Sequence, residues 1–175
     1  MDNELTRADI VHLFKLLDKK LAARSVCGEI YVVGGAAMCL VLNARPSTKD
    51  VDALFAPTKE LRDAAAEVAL EMDLPATWLN DGAKGFLSRR DDFDPFLDLD
   101  HLKVYTAAPS YLLAMKALSM RIGVEFQDES DVRYLLRHLN IESYQGAIEV
   151  ITKYYDLERL PQKTLYALEE ILGDQ

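Results

Sequence analysis

A chain of 175 residues, half of them apolar and 28% charged, is long enough for one domain or for a core with a helical annex. Its net charge of −9 excludes a broad basic stripe for nucleic acid, so a phosphate-bearing ligand has to be held by a local site or a bridging cation. No biased tract marks disorder and no apolar run reaches membrane-spanning length. The acidic, polar opening "MDNELTRADI" is unlike a signal peptide, so a cytoplasmic home and no membrane partner are expected.

In chain order, Thr6 is placed to cap a helix whose Ile10, Phe14, Leu17 and Leu21 recur at helical spacing. Gly28 ends that segment, and "EIYVV" (Glu29 to Val33) reads as a short buried strand. Gly34-Gly35 then turns into "AAMCLVLNA", an apolar helix closed near Asn43 and Pro46. "KDVDALF" (Lys49 to Phe55) is the second strand. Pro57-Thr58 opens a helix with Leu61, Ala65, Val68 and Met72 on one face. "HLKVYTA" (His101 to Ala107) alternates as a third strand, and four helical segments follow from Pro109. The expected fold is α/β (α+β): a small mixed sheet flanked by helices over 1–108, with a helical part over 109–175 packed on it. Cys27 and Cys39 lie in no metal-ligand spacing and read as small buried hydrophobes. His12, His101 and His138 pair with no other ligand type and read as structural.

The second strand carries the chemistry. Side chains alternate along a strand, so Asp50, Asp52 and Leu54 share one face while Val51, Ala53 and Phe55 anchor the other. Two adjacent carboxylates repel unless a cation compensates them, and a hard ion such as Mg²⁺ does so while leaving positions for phosphate oxygens. The plainer alternative is a solvated strand end. A strand-Gly-Gly-helix turn lets the backbone approach a ligand closely, and free amides at Gly34 and Gly35 suit a triphosphate. Glycine for turn geometry alone is the other reading of that pair.

Taken together, "VVGGAAMCLVLNARPSTKDVD" resembles the signature of the nucleotidyltransferase superfamily: strand, Gly-Gly, helix, then an R-x-[ST]-x-D-[IV]-D strand. The set Arg45, Thr48, Asp50 and Asp52 is most similar to the AbiEii-type branch, which includes toxins of toxin–antitoxin systems. A second block, "YLLAMKALSMRIGVEFQDESDVRYLL", looks like that branch's lysine-arginine helix followed by an acidic helix start. The likeness runs from about Tyr31 to Leu136, with a longer gap between Gly35 and Asp50 than the superfamily pattern has. It implies an Mg²⁺-dependent enzyme that moves a nucleoside monophosphate from an NTP to an RNA, protein or small-molecule acceptor. A cognate antitoxin or toxin partner is implied with it. Catalytic roles fall to Asp50, Asp52 and Lys116, and nucleotide contacts to Gly34, Gly35, Arg45, Thr48, Lys116, Arg121 and Asp131. The superfamily commonly takes a third metal carboxylate from a later strand, and Asp100 or Asp98 in "DPFLDLDHLKV" are the candidates here.

Several of these residues also have ordinary explanations. Lys116 suits a helix margin from which its ammonium reaches water. Arg45 and Arg121 suit surface charges as well as forked phosphate contacts. Asp128 reads as a helix N-cap, whereas Asp131 lies on the apolar side of its helix and resists that explanation. Trp78 reads as a packing anchor, and Asn80 as a residue that can contact ligand. The rival from another class is a non-catalytic protein of the same fold, acting as a nucleotide-binding or antitoxin-like partner.

Overall fold

The computed structural model describes residues 4–173, which contacts divide into two units. One takes the chain up to Gly85 together with Phe93–Ala107. The other takes Phe86–Asp92 and everything from Ala108 onward.

The first unit begins with β1 (Leu5–Thr6), which pairs antiparallel with β3 (Ser47–Thr48). Helix α1 (Arg7–Ala23) starts at a reciprocal cap: Asp9 N–H donates to Thr6 Oγ1 at 3.3 Å, and Thr6 N–H donates to the Asp9 carboxylate at 2.9 Å. Its Ile10, Leu13, Phe14, Leu17 and Leu21 form one buried stripe. Strand β2 (Gly28–Val32) leads into α2 (Gly34–Leu40). The sequence pattern extends this helix to about Asn43, but Asn43 takes φ 51 and the chain turns before β3. Then come β4 (Val51–Ala56), α3 (Thr58–Glu71), β5 (Leu79–Asn80), β6 (Phe93–Asp98) and β7 (Leu102–Ala107).

Five strands form a mixed sheet in the order β5-β4-β2-β7-β6. β2 runs antiparallel to β4 and parallel to β7, while β6 closes an antiparallel hairpin onto β7. Ile30, Val32, Val51, Ala53, Phe55, Leu102 and Val104 are buried on one face, where α1 contacts β7 and α3 contacts β4. Each fully buried Leu, Ile or Phe there contributes roughly 1.5–3 kcal/mol. The alternate positions Tyr31, Asp52, Leu54, Phe93 and Tyr105 are only half-buried, so this sheet has one core face and one wetter face. Trp78 is a packing anchor: it is buried, its indole N–H donates to Ala65 O at 3.0 Å, and its carbonyl accepts from Val51 N. Cys39 is buried as expected, whereas Cys27 is exposed in the turn before β2.

The second unit is helical: α4 (Pro109–Leu118), α5 (Asp128–His138), α6 (Tyr144–Ile151) and α7 (Gln162–Gly173). α4 is buried from Tyr111 to Ala117 and contacts α5 and α6, while α7 contacts α6. The segment Phe86–Asp92 is fastened to these helices by polar contacts. Ser88 N–H donates to the Tyr111 hydroxyl at 3.0 Å, Ser88 Oγ to Tyr154 O, and the Tyr155 hydroxyl to Phe86 O. Tyr154 donates to Asp92 at 3.0 Å; burial, then that carboxylate, pushes its phenol up to about 12. No helix among the described residues is long and apolar enough to cross a membrane.

Candidate functional site

The acidic strand and the Gly-Gly turn come together at one end of the sheet. Val33 N–H donates to Asp52 O at 2.9 Å, which extends the β2–β4 ladder to the residue before the turn. Gly34 then takes φ +63, and a Cβ built on it would stand 3.3 Å from Asp52 Oδ2. Glycine is required here twice over, for the left-handed backbone and for the carboxylate lying against it. A Cβ on Gly35 would stand 2.8 Å from Arg45 Nη1 and 3.1 Å from Thr48 Oγ1, so a guanidinium and a hydroxyl pack onto the second glycine. Thr48 Oγ1 donates to Asp50 O at 3.2 Å. Gly34, Gly35, Arg45, Thr48, Asp50 and Asp52 are therefore neighbours, although fourteen residues of sequence lie between Gly35 and Asp50.

Electrostatics in this cluster follow from its composition. Burial raises the Asp50 carboxyl above its usual range, the Asp52 charge raises it further, and Lys49 pulls the other way. A cation held between the two carboxylates relieves both raising effects. The chemistry of the pair fits a hard divalent cation such as Mg²⁺, which Asp50 and Asp52 would hold.

A third carboxylate does not join them. Among the described residues no group of three His, Cys, Asp or Glu side chains is arranged to hold a metal ion. Strand register explains where the candidates went. Asp98 pairs with Lys103, Lys103 with Glu29, and Glu29 with Ala56, so Asp98 lies level with the far end of β4. Asp100 follows it in the β6–β7 turn. Continuing the registers by one residue puts Val33, Ala107 and Phe93 in the row of Asp52. Alanine and phenylalanine thus occupy the positions from which a carboxylate would face the pair. Asp94 is level with Ala53 and shares the opposite face.

The remaining candidates form a second cluster inside the helical unit. Lys116 is buried in α4, with its ammonium 2.7 Å from Asp131 and 3.6 Å from Asp128. Arg121 grips Asp128 through its backbone N–H and its Nε, both at 2.9 Å, and its guanidinium lies over the Phe126 ring. Asp128 is the first residue of α5 and caps nothing; its carboxylate is used up by Arg121. Burial pushes the Asp128 carboxyl up, and the Arg121 hydrogen bonds with the Lys116 charge outweigh it, leaving the group below its usual range. These ion pairs account for both cations without any ligand. Asn80, read as a possible ligand contact, is engaged locally: its Oδ1 accepts from Gly82 N at 3.1 Å.

Sequence reasoning passed over a set of aromatic side chains on the Asp52 face. Tyr31 and Tyr105 pair across β2 and β7 with ring centroids 4.9 Å apart and planes 11° from parallel. Phe93 meets Tyr31 edge-on at 5.2 Å. The available signal was alternation: both tyrosines fall between buried residues of their strands, as Asp52 does in β4.

No curated protein and no solved structure matches this chain. One family model does match, over residues 8–161, and it spans both units and both side-chain clusters. The chain belongs to that family, described as nucleotidyltransferase of unknown function (DUF6036).

Proposed function

We propose that this protein transfers a nucleoside monophosphate from an NTP to an acceptor hydroxyl and releases pyrophosphate. The observation that supports this best is the set of Asp50 and Asp52 beside Gly34, with Arg45 and Thr48 on Gly35. Asp50 and Asp52 hold Mg²⁺, which when bound neutralises charge on the phosphoryl oxygens. The Gly34-Gly35 backbone admits the triphosphate close to that pair, and Arg45 supplies a forked donor set for its oxygens. The acceptor oxygen bonds to the α-phosphorus, the bond to the bridging oxygen breaks, and the hydroxyl proton passes to a carboxylate oxygen of the pair. RNA, protein and small molecules are all acceptors of the required chemistry. The AbiEii-type likeness of the two sequence blocks supports the finer reading of a toxin held by a cognate partner.

One observation favours a second reading. With Ala107 and Phe93 where a third carboxylate would face the pair, the site suits a protein that binds nucleotide without transferring it. Thermal melts and a pyrophosphate-release assay separate the two. Mg²⁺ with an NTP at about 100 times its Kd stabilises a protein that binds it by about 2.7 kcal/mol under either reading. Release of pyrophosphate in the presence of an acceptor pool supports transfer. Stabilisation without release supports the binding protein, and neither effect with any of the four nucleotides ends both readings.

A further inference from the structure

The wetter face of the sheet holds more than the carboxylate pair. Two residues along the strands from the row of Asp52 lies the row Leu54, Tyr31, Tyr105 and Pro95, on the same face. Tyr31 and Tyr105 are stacked in it, Phe93 presents its edge to Tyr31, and all three are half-buried. Strand order places Tyr105 on one side of Tyr31 and β4, with Leu54 and Asp52, on the other. Residues i and i+2 in a strand are roughly 7 Å apart and neighbouring strands roughly 5 Å, so Tyr31 is within one nucleoside's length of Asp52.

We infer that Tyr31, backed by Tyr105 and Phe93, is a stacking platform for a nucleobase whose ribose and phosphate reach the Asp50–Asp52 pair. The inference rests on the nucleotidyl-transfer reading for the identity of the neighbouring ligand. Its own support is geometric. Two parallel phenol rings make a stack, and the cross-strand neighbour of Tyr31 on the β4 side is Leu54, an aliphatic side chain shorter than tyrosine over which a further flat ring can lie against Tyr31. Polar edges at the rim suit a base better than an aliphatic ligand: the Tyr31 hydroxyl donates to Glu29 at 2.7 Å, and Lys103 is exposed in the row of Glu29. Net charge points the same way. At −9 the chain has little long-range hold on a phosphate backbone, so affinity for a nucleotide has to come from local contacts: Arg45, the metal and the rings. The base can belong to the donor nucleotide or to the nucleotide end of an acceptor, and the two are separable.

The test measures three affinities on the full chain: ATP with Mg²⁺, inorganic triphosphate with Mg²⁺, and a short single-stranded oligoadenylate without metal. Tyr31→Leu keeps an apolar strand residue and removes the ring; Tyr31→Phe keeps the ring. Thermal melts confirm that both variants fold, and Tyr105→Leu repeats the test should Tyr31→Leu not fold. The leucine variant is expected to weaken a base-bearing probe roughly 5- to 100-fold while inorganic triphosphate is unaffected and the phenylalanine variant binds as the parent does. A loss confined to ATP assigns the donor base, and a loss confined to oligoadenylate assigns the acceptor. The platform is overturned if the parent binds neither base-bearing probe, if both affinities survive Tyr31→Leu, or if inorganic triphosphate weakens equally. Failure of the transfer reading looks different: triphosphate binding is then absent or independent of Mg²⁺, while oligoadenylate binding still responds to the ring.

Discussion

Each unit of this protein carries two aspartates close together in sequence, and the two pairs are handled in opposite ways. Asp128 and Asp131 are buried in the helical unit and met by Lys116 and Arg121, and the Asp128 carboxyl ends below its usual range. Asp50 and Asp52 lie half-buried in the sheet unit, where burial and then the Asp52 charge leave the Asp50 carboxyl above its usual range. Burial raises the pKa in both places; at Asp128 the Arg121 hydrogen bonds and the Lys116 charge outweigh it, whereas at Asp50 the Asp52 charge adds to it and Lys49 only partly offsets the rise. A compensated pair is a means of holding helices together. A carboxyl held above its usual range, as Asp50 is, costs some stability in the metal-free protein.

The contrast is broken most decisively at Asp52. Asp52→Asn keeps the side-chain shape and removes one anionic ligand. Transfer is expected to fall by at least a thousand-fold, about 4 kcal/mol of transition-state stabilisation, while metal-free stability holds or rises. A destabilised metal-free variant with an unchanged Mg²⁺ response would instead make Asp52 a structural carboxylate like Asp131.

Lys116→Met makes the reverse change in the helical unit. It leaves Asp131 and Asp128 buried beside a thioether, and breaking such a pair from one side costs roughly 3–5 kcal/mol. Denaturant midpoints at neutral pH measure it. A loss below about 1 kcal/mol, the scale of a surface ion pair, would mean that Lys116 is held for a ligand rather than for the fold.

Gly34→Ala tests whether the turn and the carboxylate are one device. A methyl at φ +63 costs roughly 1–2 kcal/mol, and it would meet Asp52 Oδ2 at 3.3 Å, so Mg²⁺ affinity should drop together with stability. A stability loss with unchanged Mg²⁺ affinity would separate the glycine from the site.

The smallest effect is in the acid limb of stability, measured by urea midpoints across pH without metal. Asp128 sits below its ordinary value of 3.8, so its contribution is complete above that value and is lost as pH falls through the folded one. Asp50 sits above its ordinary value, so stability falls as pH rises from 3.8 through its folded value. Asp128→Asn should flatten the parent's loss toward low pH, and Asp50→Asn should hold or raise stability at neutral pH. Opposite signs in the two variants sustain the comparison; equal signs remove it.

How much of this the sequence disclosed depended on the residue type. The apolar stripe of α1, the Thr6 cap, the buried alternation of β2, β4 and β7 and the four C-terminal helices were all legible, because burial periodicity is a local signal. β6 was not: "FDPFLD" contains a proline and two aspartates, all three exposed, and it is an edge strand whose register slips between Pro95 and Leu97. Missing that hairpin is also why Asp98 and Asp100 looked eligible as ligands, since only the pairing shows which end of the sheet they occupy. The neighbours of Gly34-Gly35 were legible as a motif. The Lys116 network was not, because an N-cap aspartate and a buried ion-paired one read alike in sequence.

The excursion of Phe86–Asp92 has a practical consequence for anyone dividing this protein. The chain enters the helical unit, returns to lay down the β6–β7 hairpin, and enters it again at Ala108, so no single cut yields two complete pieces. A truncated helical fragment beginning at Ala108 loses Ser88, Asp92 and Phe86, whose groups hydrogen-bond to the Tyr111, Tyr154 and Tyr155 hydroxyls. Expressing the helices alone, grafting them onto another sheet or swapping them between relatives therefore requires the seven-residue loop to travel too, through a linker replacing the hairpin.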